Sequence, residues 1–100
     1  NCHIKLPAFL IDSEPAWHLF TIEVPDRNNF VRYLKDKEIG YATNYPVPVP
    51  LQPCYGGESR IAEFPRAADK CSKLVNIPMC PTLSDREVDY IINALNTYAI

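Results

Sequence analysis

The sequence predicts an α+β fold, a two-layer sandwich in which a small mixed or antiparallel sheet of about three strands carries helices on one face. Short apolar stretches with strand-like alternation are interleaved with longer segments whose apolar residues recur at helical spacing. The chain has 100 residues, of which 47% are apolar, enough for one hydrophobic core. We expect a single domain over 1–100, with 1–15 as an N-terminal extension and 16–100 as the compact unit.

The first predicted strand covers 17–24, "WHLFTIEV", where bulky apolar residues alternate with polar or smaller ones. Asp26 is then a suitable N-cap for a helix over 27–38, because its side chain can accept from the unpaired amides of the first turn. Gly40 follows, and we expect it to end this helix at the C′ position. A short strand is predicted next, over 41–45.

The stretch "NYPVPVPLQPCYGG" occupies 44–57 and contains prolines at every second or third position. Proline fixes φ and donates no backbone hydrogen bond, so neither a helix nor an interior strand is possible here. We expect the segment to run extended along a surface. The prolines concerned are Pro46, Pro48, Pro50 and Pro53.

The last third of the chain predicts a helix, a strand and a helix. Pro65 suits the first turn of a helix over 66–74, and "LVNIPM" at 74–79 returns as a short or edge strand. Ser84 and Glu87 form a capping box for the final helix. An apolar stripe at helical spacing follows: Val88, Ile91, Ile92 and Leu95.

Charge and composition limit the partners. The net charge is −2 and the basic residues are scattered, so we expect no nucleic-acid partner. No apolar run approaches the roughly 18 residues of a membrane span, and the start does not resemble a signal peptide. We therefore expect a cytoplasmic protein without a membrane partner. The first residue is not Met, so we expect the chain to begin inside a longer product or after a trimmed tag.

The cysteines and histidines show no metal-ligand spacing, and we expect no metal site. Four cysteines permit disulfides, but the core-sized apolar content favours free thiols in a reducing compartment. His18 is expected to be a structural histidine inside the first strand. The sequence also lacks a phosphate-binding glycine motif and a paired base and nucleophile, so residue chemistry alone predicts no catalytic residue. The cysteines are Cys2, Cys54, Cys71 and Cys80.

Five segments in order nevertheless resemble one known family. They are "AWHLFTIEV", "LKDKEIG", "YPVPVPLQPCY", "FPRAA" and "IPMCPTLS", and they extend over about 16–95. Together they closely resemble the C-terminal small domain of the DegT-type sugar-nucleotide aminotransferases. These are pyridoxal-phosphate-dependent enzymes of the fold-type I superfamily. The resemblance implies that 16–100 is an aminotransferase-like small domain.

The resemblance also gives the proline segment a role as a wall of the active-site cleft. Asn44 matches the family's His or Asn before Tyr-Pro and is the best candidate for a polar substrate contact, with Tyr45 and Gln52 as further candidates. The alternative is that Asn44 merely ends a strand and caps the turn. Asn44 together with Pro50 resembles a subset of the family that acts on 3-keto sugars.

In the family, the lysine that forms a Schiff base with pyridoxal phosphate lies in the large domain, upstream of this portion. The five lysines of this chain match none of the cofactor positions, so we expect no cofactor and no catalysis from the chain alone. One interpretation is the small domain of a larger sugar-nucleotide aminotransferase, whose partner is the missing large domain. The alternative is a free-standing structural or interaction module, derived from that domain and self-associating.

Overall fold

A computed structural model describes residues 1–99 and contains two strands, three α-helices and three 3₁₀ turns. None of these helices is long and apolar enough to cross a membrane. The strands are β1, Phe20–Glu23, and β2, Leu74–Ile77. The α-helices are α1, Arg27–Asp36, α2, Pro65–Lys73, and α3, Asp85–Thr97. The 3₁₀ turns span Val49–Leu51, Pro53–Tyr55 and Gly57–Glu63.

The sheet has two antiparallel strands, with Phe20 opposite Ile77 at one end of the ladder. An isolated bridge lies on each outer edge: Lys5 pairs with Glu23, and Ala42 pairs with Asn76. The α+β class is therefore confirmed, whereas the third strand predicted over 41–45 is reduced to one bridge. The prolines that follow it cannot donate to a ladder, so the pairing does not extend. The first strand is likewise shorter than predicted, and His18 lies before it with an exposed side chain, not inside it.

Helix α1 begins as the sequence predicts but ends differently. Asp26 is the N-cap, and its Oδ1 accepts from the amide of Asn29 at 2.9 Å. The left-handed residue after the helix is Glu38, with φ 55°, not Gly40. The amide of Ile39 donates to the carbonyl of Leu34 at 2.9 Å, as in a Schellman motif. Burial of Ile39 fixes this register, which leaves Gly40 two residues beyond the C′ position.

The other two α-helices match their sequence signals. Pro65 is at the start of α2. The predicted capping box is formed, because the Ser84 side chain accepts from the Glu87 amide while the Glu87 carboxylate accepts from the Ser84 amide at 2.8 Å. The apolar stripe is only partly covered: Ile91 is buried, but Ile92 is 47% exposed.

One hydrophobic core joins α1 and α3 to one face of the sheet. Alternate residues of β1 and the segment after it point into this core, and Phe30 of α1 packs edge-on against Tyr98 with ring centroids 4.9 Å apart. Tyr33 donates to the carbonyl of Ala94 at 2.8 Å and ties the two helices together. The largest fully buried side chains are Phe30, Ile22, Leu34, Val24 and Val75.

The N-terminal residues lie against the end of α3. The side-chain amide of Asn1 donates to the carbonyls of Leu95 and Tyr98, at 2.6 and 2.7 Å. Beyond Lys5, the chain continues to β1 without helix or strand and leaves large apolar side chains exposed. These are Leu6, Phe9, Leu10, Ile11, Trp17 and Leu19.

The proline segment is compact, not extended as the sequence predicted. Pro48 and Gln52 have the extended φ and ψ of polyproline II, but each is followed by a 3₁₀ turn. Proline suits the first position of such a turn, since φ is already correct and the missing amide has no partner to lose. A third 3₁₀ turn begins after Gly56, whose φ is 106°. The four cysteines are free thiols.

Candidate functional site

The folded proline segment forms a shallow groove of about 630 Å³ with α2 and the start of α1. Its walls are mainly apolar, and prolines make up one side. Leu51, in the first 3₁₀ turn of the segment, is buried. The residues that line it include Arg27, Pro46, Pro48, Leu51, Ala68 and Ser72.

Arg27 joins the helices on the other side of the groove. Its Nη1 donates to the carbonyl of Cys71 in the last turn of α2. A cation near a helix C-terminus offsets the unpaired carbonyls there. Arg27 could not be predicted from the sequence, because its partner is 44 residues away and the local pattern carries no signal for the contact.

Asn44 lies just before the prolines, at the end of a hydrogen-bonded chain that starts on the sheet. Its Oδ1 accepts from Nδ2 of Asn76 at 3.1 Å. Oδ1 of Asn76 in turn accepts from the hydroxyl of Thr21 on β1. Asn76 is only 4% exposed, so this polar residue is buried with its hydrogen bonds made. The peptide bond between Asn44 and Tyr45 is cis.

The other two sequence-predicted site residues are placed differently. The Tyr45 side chain is 76% exposed. Gln52 is half-buried between two 3₁₀ turns, and its carbonyl accepts from the amides of Tyr55 and Gly57 at 2.9 and 3.1 Å. None of the residues Asn44, Tyr45 and Gln52 lines the groove. They lie within the proline segment, and the structure does not gather them around one point.

Ion pairs flank α2 on the sheet side. Lys70 pairs with Glu23 of β1, and this contact lowers the pKa of the Glu23 carboxyl. Lys73 pairs with Asp69 at 2.6 Å within the helix, which lowers the pKa of Asp69 and raises that of Lys73. Within residues 1–99, no three His, Cys, Asp or Glu side chains cluster in a way that could hold a metal ion.

The sequence matches the model of the DegT/DnrJ/EryC1/StrS aminotransferase family over residues 3–96. The chain belongs to this family. The match covers nearly the whole chain. The aminotransferase resemblance predicted from five short motifs is thereby confirmed.

Two curated relatives are transaminases named for amino sugars. The dTDP-3-amino-3,6-dideoxy-alpha-D-galactopyranose transaminase of Aneurinibacillus thermoaerophilus is 34% identical over 98 residues, which are 98% of this chain and 27% of that protein. The dTDP-3-amino-3,4,6-trideoxy-alpha-D-glucose transaminase of Streptomyces venezuelae is 34% identical over 97 residues, 96% of this chain and 26% of that protein. The chain thus spans about a quarter of the length of these DegT-family relatives.

Solved structures of the family share the fold. DesV of S. venezuelae, solved in complex with a ketimine intermediate, superposes with a TM-score of 0.85 at 34% identity, over 93% of this chain and 25% of that one. A DegT/DnrJ/EryC1/StrS aminotransferase of Brucella abortus gives 0.79 at 25% identity, over 95% of this chain and 26% of that one.

Proposed function

We propose that this chain is the C-terminal small domain of a pyridoxal-phosphate-dependent sugar-nucleotide aminotransferase and is not catalytic alone. The proposal rests on the family match over 3–96, because the relatives that match this chain are about four times as long. The missing large domain is the partner in this proposal, and the cytoplasm is the compartment. Four free thiols agree with a reducing compartment.

The proposed task of the domain is to supply the proline segment as one wall of the substrate cleft. Proline and tight turns hold its shape before a ligand arrives, so little conformational entropy is lost on binding. Asn44, Tyr45 and Gln52 are proposed as the polar contacts to the sugar nucleotide. Both amino-sugar relatives carry the amino group at C3 in their printed names, which supports a 3-keto sugar as the substrate.

The residues of the groove do not fit pyridoxal phosphate by themselves. The cofactor is held through a Schiff base to a lysine, and no lysine lines the groove among the described residues. Four of the five lysines make contacts away from the groove. Lys70 and Lys73 form ion pairs, and the ammonium groups of Lys35 and Lys37 lie over tyrosine rings. Lys5 lies at the far edge of the sheet. The cofactor therefore belongs to the missing domain in this proposal.

Reductive labelling tests the claim that the chain has no cofactor site. The purified chain is incubated with pyridoxal phosphate, reduced with borohydride and mapped by peptide mass spectrometry. We expect low, scattered modification of the five lysines, because none of them lines the groove or matches a cofactor position of the family. Stoichiometric labelling of a single lysine would contradict the proposal and establish a cofactor site in this chain.

A second experiment tests the substrate wall. Addition of dTDP-D-glucose to the ¹⁵N-labelled chain is expected to shift amide resonances in 44–57, with D-glucose as the control that leaves them in place. Shifts confined to residues outside the proline segment and its groove would argue against this role.

The alternative is a free-standing module that self-associates. It is favoured by the exposed apolar side chains before β1 and on α3, since surface of this kind commonly marks an interface. Light scattering during size exclusion measures the mass directly. A dimer that leaves the 44–57 resonances insensitive to dTDP-D-glucose would favour the module, whereas a ligand-responsive monomer would favour the small-domain proposal.

A further inference from the structure

Asn76 is the one buried polar residue among the described residues, and it contacts the residues that lead into the proline segment. It holds that segment with three hydrogen bonds. Its amide donates to the carbonyl of Ala42 at 2.8 Å, its carbonyl accepts from the Ala42 amide at 3.0 Å, and its Nδ2 donates to Oδ1 of Asn44. A buried carboxamide with its hydrogen bonds made has little freedom to turn, because leaving a buried donor or acceptor unpaired is costly.

The donor–acceptor direction of these hydrogen bonds determines which side-chain atoms of Asn44 are available to a ligand. In the structure Thr21 donates its hydroxyl to Oδ1 of Asn76, and the side-chain NH₂ of Asn76 donates to Asn44. Oδ1 of Asn44 accepts this hydrogen bond, whereas its Nδ2 donates to no group within residues 1–99 and belongs to an exposed residue. An amide nitrogen is a donor only.

We propose that Asn76 and Thr21 are positioning residues that orient the Asn44 carboxamide, so that Asn44 presents two N–H donors and recognises a hydrogen-bond acceptor oxygen of the substrate. The acceptor is a hydroxyl, keto or phosphate oxygen of a sugar nucleotide. The inference rests on the proposed function for the identity of the ligand, but the orientation of Asn44 is a property of the chain alone.

Side-chain amide exchange in the ¹⁵N-labelled chain tests the orientation without any ligand. Asn1, whose side-chain amide donates to two carbonyls, is the hydrogen-bonded standard, and Asn28 of α1, which is exposed, is the free one. We expect the Asn76 carboxamide to exchange about tenfold more slowly than that of Asn28, and Asn44 to match Asn28. A protected Asn44 beside a rapidly exchanging Asn76, or equal rates for both, would overturn the proposal.

The role of Thr21 is tested by Thr21→Val, which keeps the shape and removes the hydroxyl. Thr43→Val makes the same change one residue before Asn44 and serves as the control. Loss of Asn76 protection in Thr21→Val but not in Thr43→Val is the expected result. Equal protection in both variants would remove Thr21 from the proposal, and the exchange rates of the unmodified chain still decide the orientation if Thr21→Val does not fold.

The ligand chemistry is tested with dTDP-D-glucose and two variants of one position. Asn44→Asp retains an oxygen for Asn76 but has no donor, whereas Asn44→Ala loses both. Affinity in Asn44→Asp reduced at least as far as in Asn44→Ala supports an acceptor on the ligand. Unchanged affinity in Asn44→Asp with a loss in Asn44→Ala overturns it. If the unmodified chain does not bind the probe, the proposed function fails, while the exchange rates still decide the orientation.

Discussion

At the scale of single residues, Glu38 carries the clearest backbone cost. Its φ of 55° is in the left-handed region, where a side chain collides with the following carbonyl. We expect Glu38→Gly to raise the free energy of unfolding by about 0.5 to 1 kcal/mol, after subtracting the extra entropy of glycine in the unfolded chain. Urea denaturation measures the change.

Gly40 provides the matched comparison. A Cβ there meets no atom within 4 Å, and φ is not in the left-handed region. Gly40→Ala should therefore leave stability unchanged or raise it slightly. Destabilisation by Gly40→Ala together with no gain in Glu38→Gly would mean that the helix ends at Gly40, as its sequence pattern first predicted.

Cys80 is an exposed thiol whose pKa is lowered by hydrogen bonds from the hydroxyl and amide of Thr82. The Sγ and Oγ1 atoms are 2.9 Å apart. Because the thiolate is the nucleophile, Thr82→Val should move the rate–pH curve for iodoacetamide alkylation of Cys80 to higher pH and slow the reaction near neutral pH several-fold. Peptide mass spectrometry follows each cysteine separately. An unchanged Cys80 rate, or an equal change at Cys54, would contradict this assignment.

The residues of the candidate site show which parts of a site can be predicted from the sequence alone. Asn44, Tyr45 and Gln52 were selected from family resemblance and not from local chemistry, and their substrate contacts remain predictions. The partners that orient Asn44 were not selected at all. Thr21 and Asn76 are 55 positions apart and Asn44 is 32 positions from Asn76, so only the folded sheet brings them together.

At the scale of elements, α3 depends on its first turn. Ser84 accepts from the Glu87 amide, and the Glu87 carboxylate accepts hydrogen bonds from the Ser84 amide and hydroxyl, which lower the pKa of Glu87. Ser84→Ala is expected to lower the free energy of unfolding by about 1 kcal/mol, because orphan amides of the helix lose a partner. Ser72→Ala, inside α2, is the control, and an equal loss there would show that the effect is not capping.

The Glu23–Lys70 pair fastens α2 to β1. The Glu23 side chain is 22% exposed and that of Lys70 is 50% exposed, so solvent weakens the attraction. A double-mutant cycle with Glu23→Gln and Lys70→Met should give a coupling free energy of about 0.5 kcal/mol near neutral pH. Chemical denaturation supplies the four unfolding free energies.

The pH dependence of this coupling follows from the lowered pKa of Glu23. A depressed carboxyl pKa stabilises the fold above the unfolded-state value, for which 4.5 is the ordinary figure, and the contribution is lost as pH falls through the folded-state pKa. The coupling should therefore weaken as the pH falls below 4.5 and disappear at acidic pH, where Glu23 is protonated in the folded state. A coupling that persists there would show that packing, not charge, joins the two side chains.

Elements with a local signal were predicted well, and those that depend on distant partners were not. The N-caps Asp26 and Ser84 indicate where a helix begins, because capping depends on residues within one helical turn and not on distant partners. The length of a strand depends on the neighbour with which it pairs. The residues 41–45 have a strand-like pattern, but the prolines that follow cannot donate to a ladder, and only the Ala42–Asn76 bridge forms. The 3₁₀ turns were not predicted, because the fixed φ of proline is compatible both with an extended chain and with successive tight turns.

At the scale of the whole molecule, stability depends on one small core. Leu34 of α1 is fully buried in the core that α1 forms with α3 and the sheet. Leu34→Ala is expected to cost about 2 to 5 kcal/mol, a large part of the stability of a 100-residue domain. Leu10→Ala, at a side chain that is 81% exposed, should change the unfolding free energy by less than about 0.5 kcal/mol. Comparable losses in thermal or urea unfolding would contradict this core.

Asn1 gives the molecule a property that its element order does not suggest. Because its side chain bonds to the carbonyls of Leu95 and Tyr98, the polypeptide enters and leaves the folded unit at one place. A unit with this geometry can be inserted into a surface loop of a host protein, or permuted to start elsewhere, without stretching either connection. In mechanical terms, a pull applied across residues 1 and 98 acts first on two side-chain hydrogen bonds, before any strand or helix bears the load.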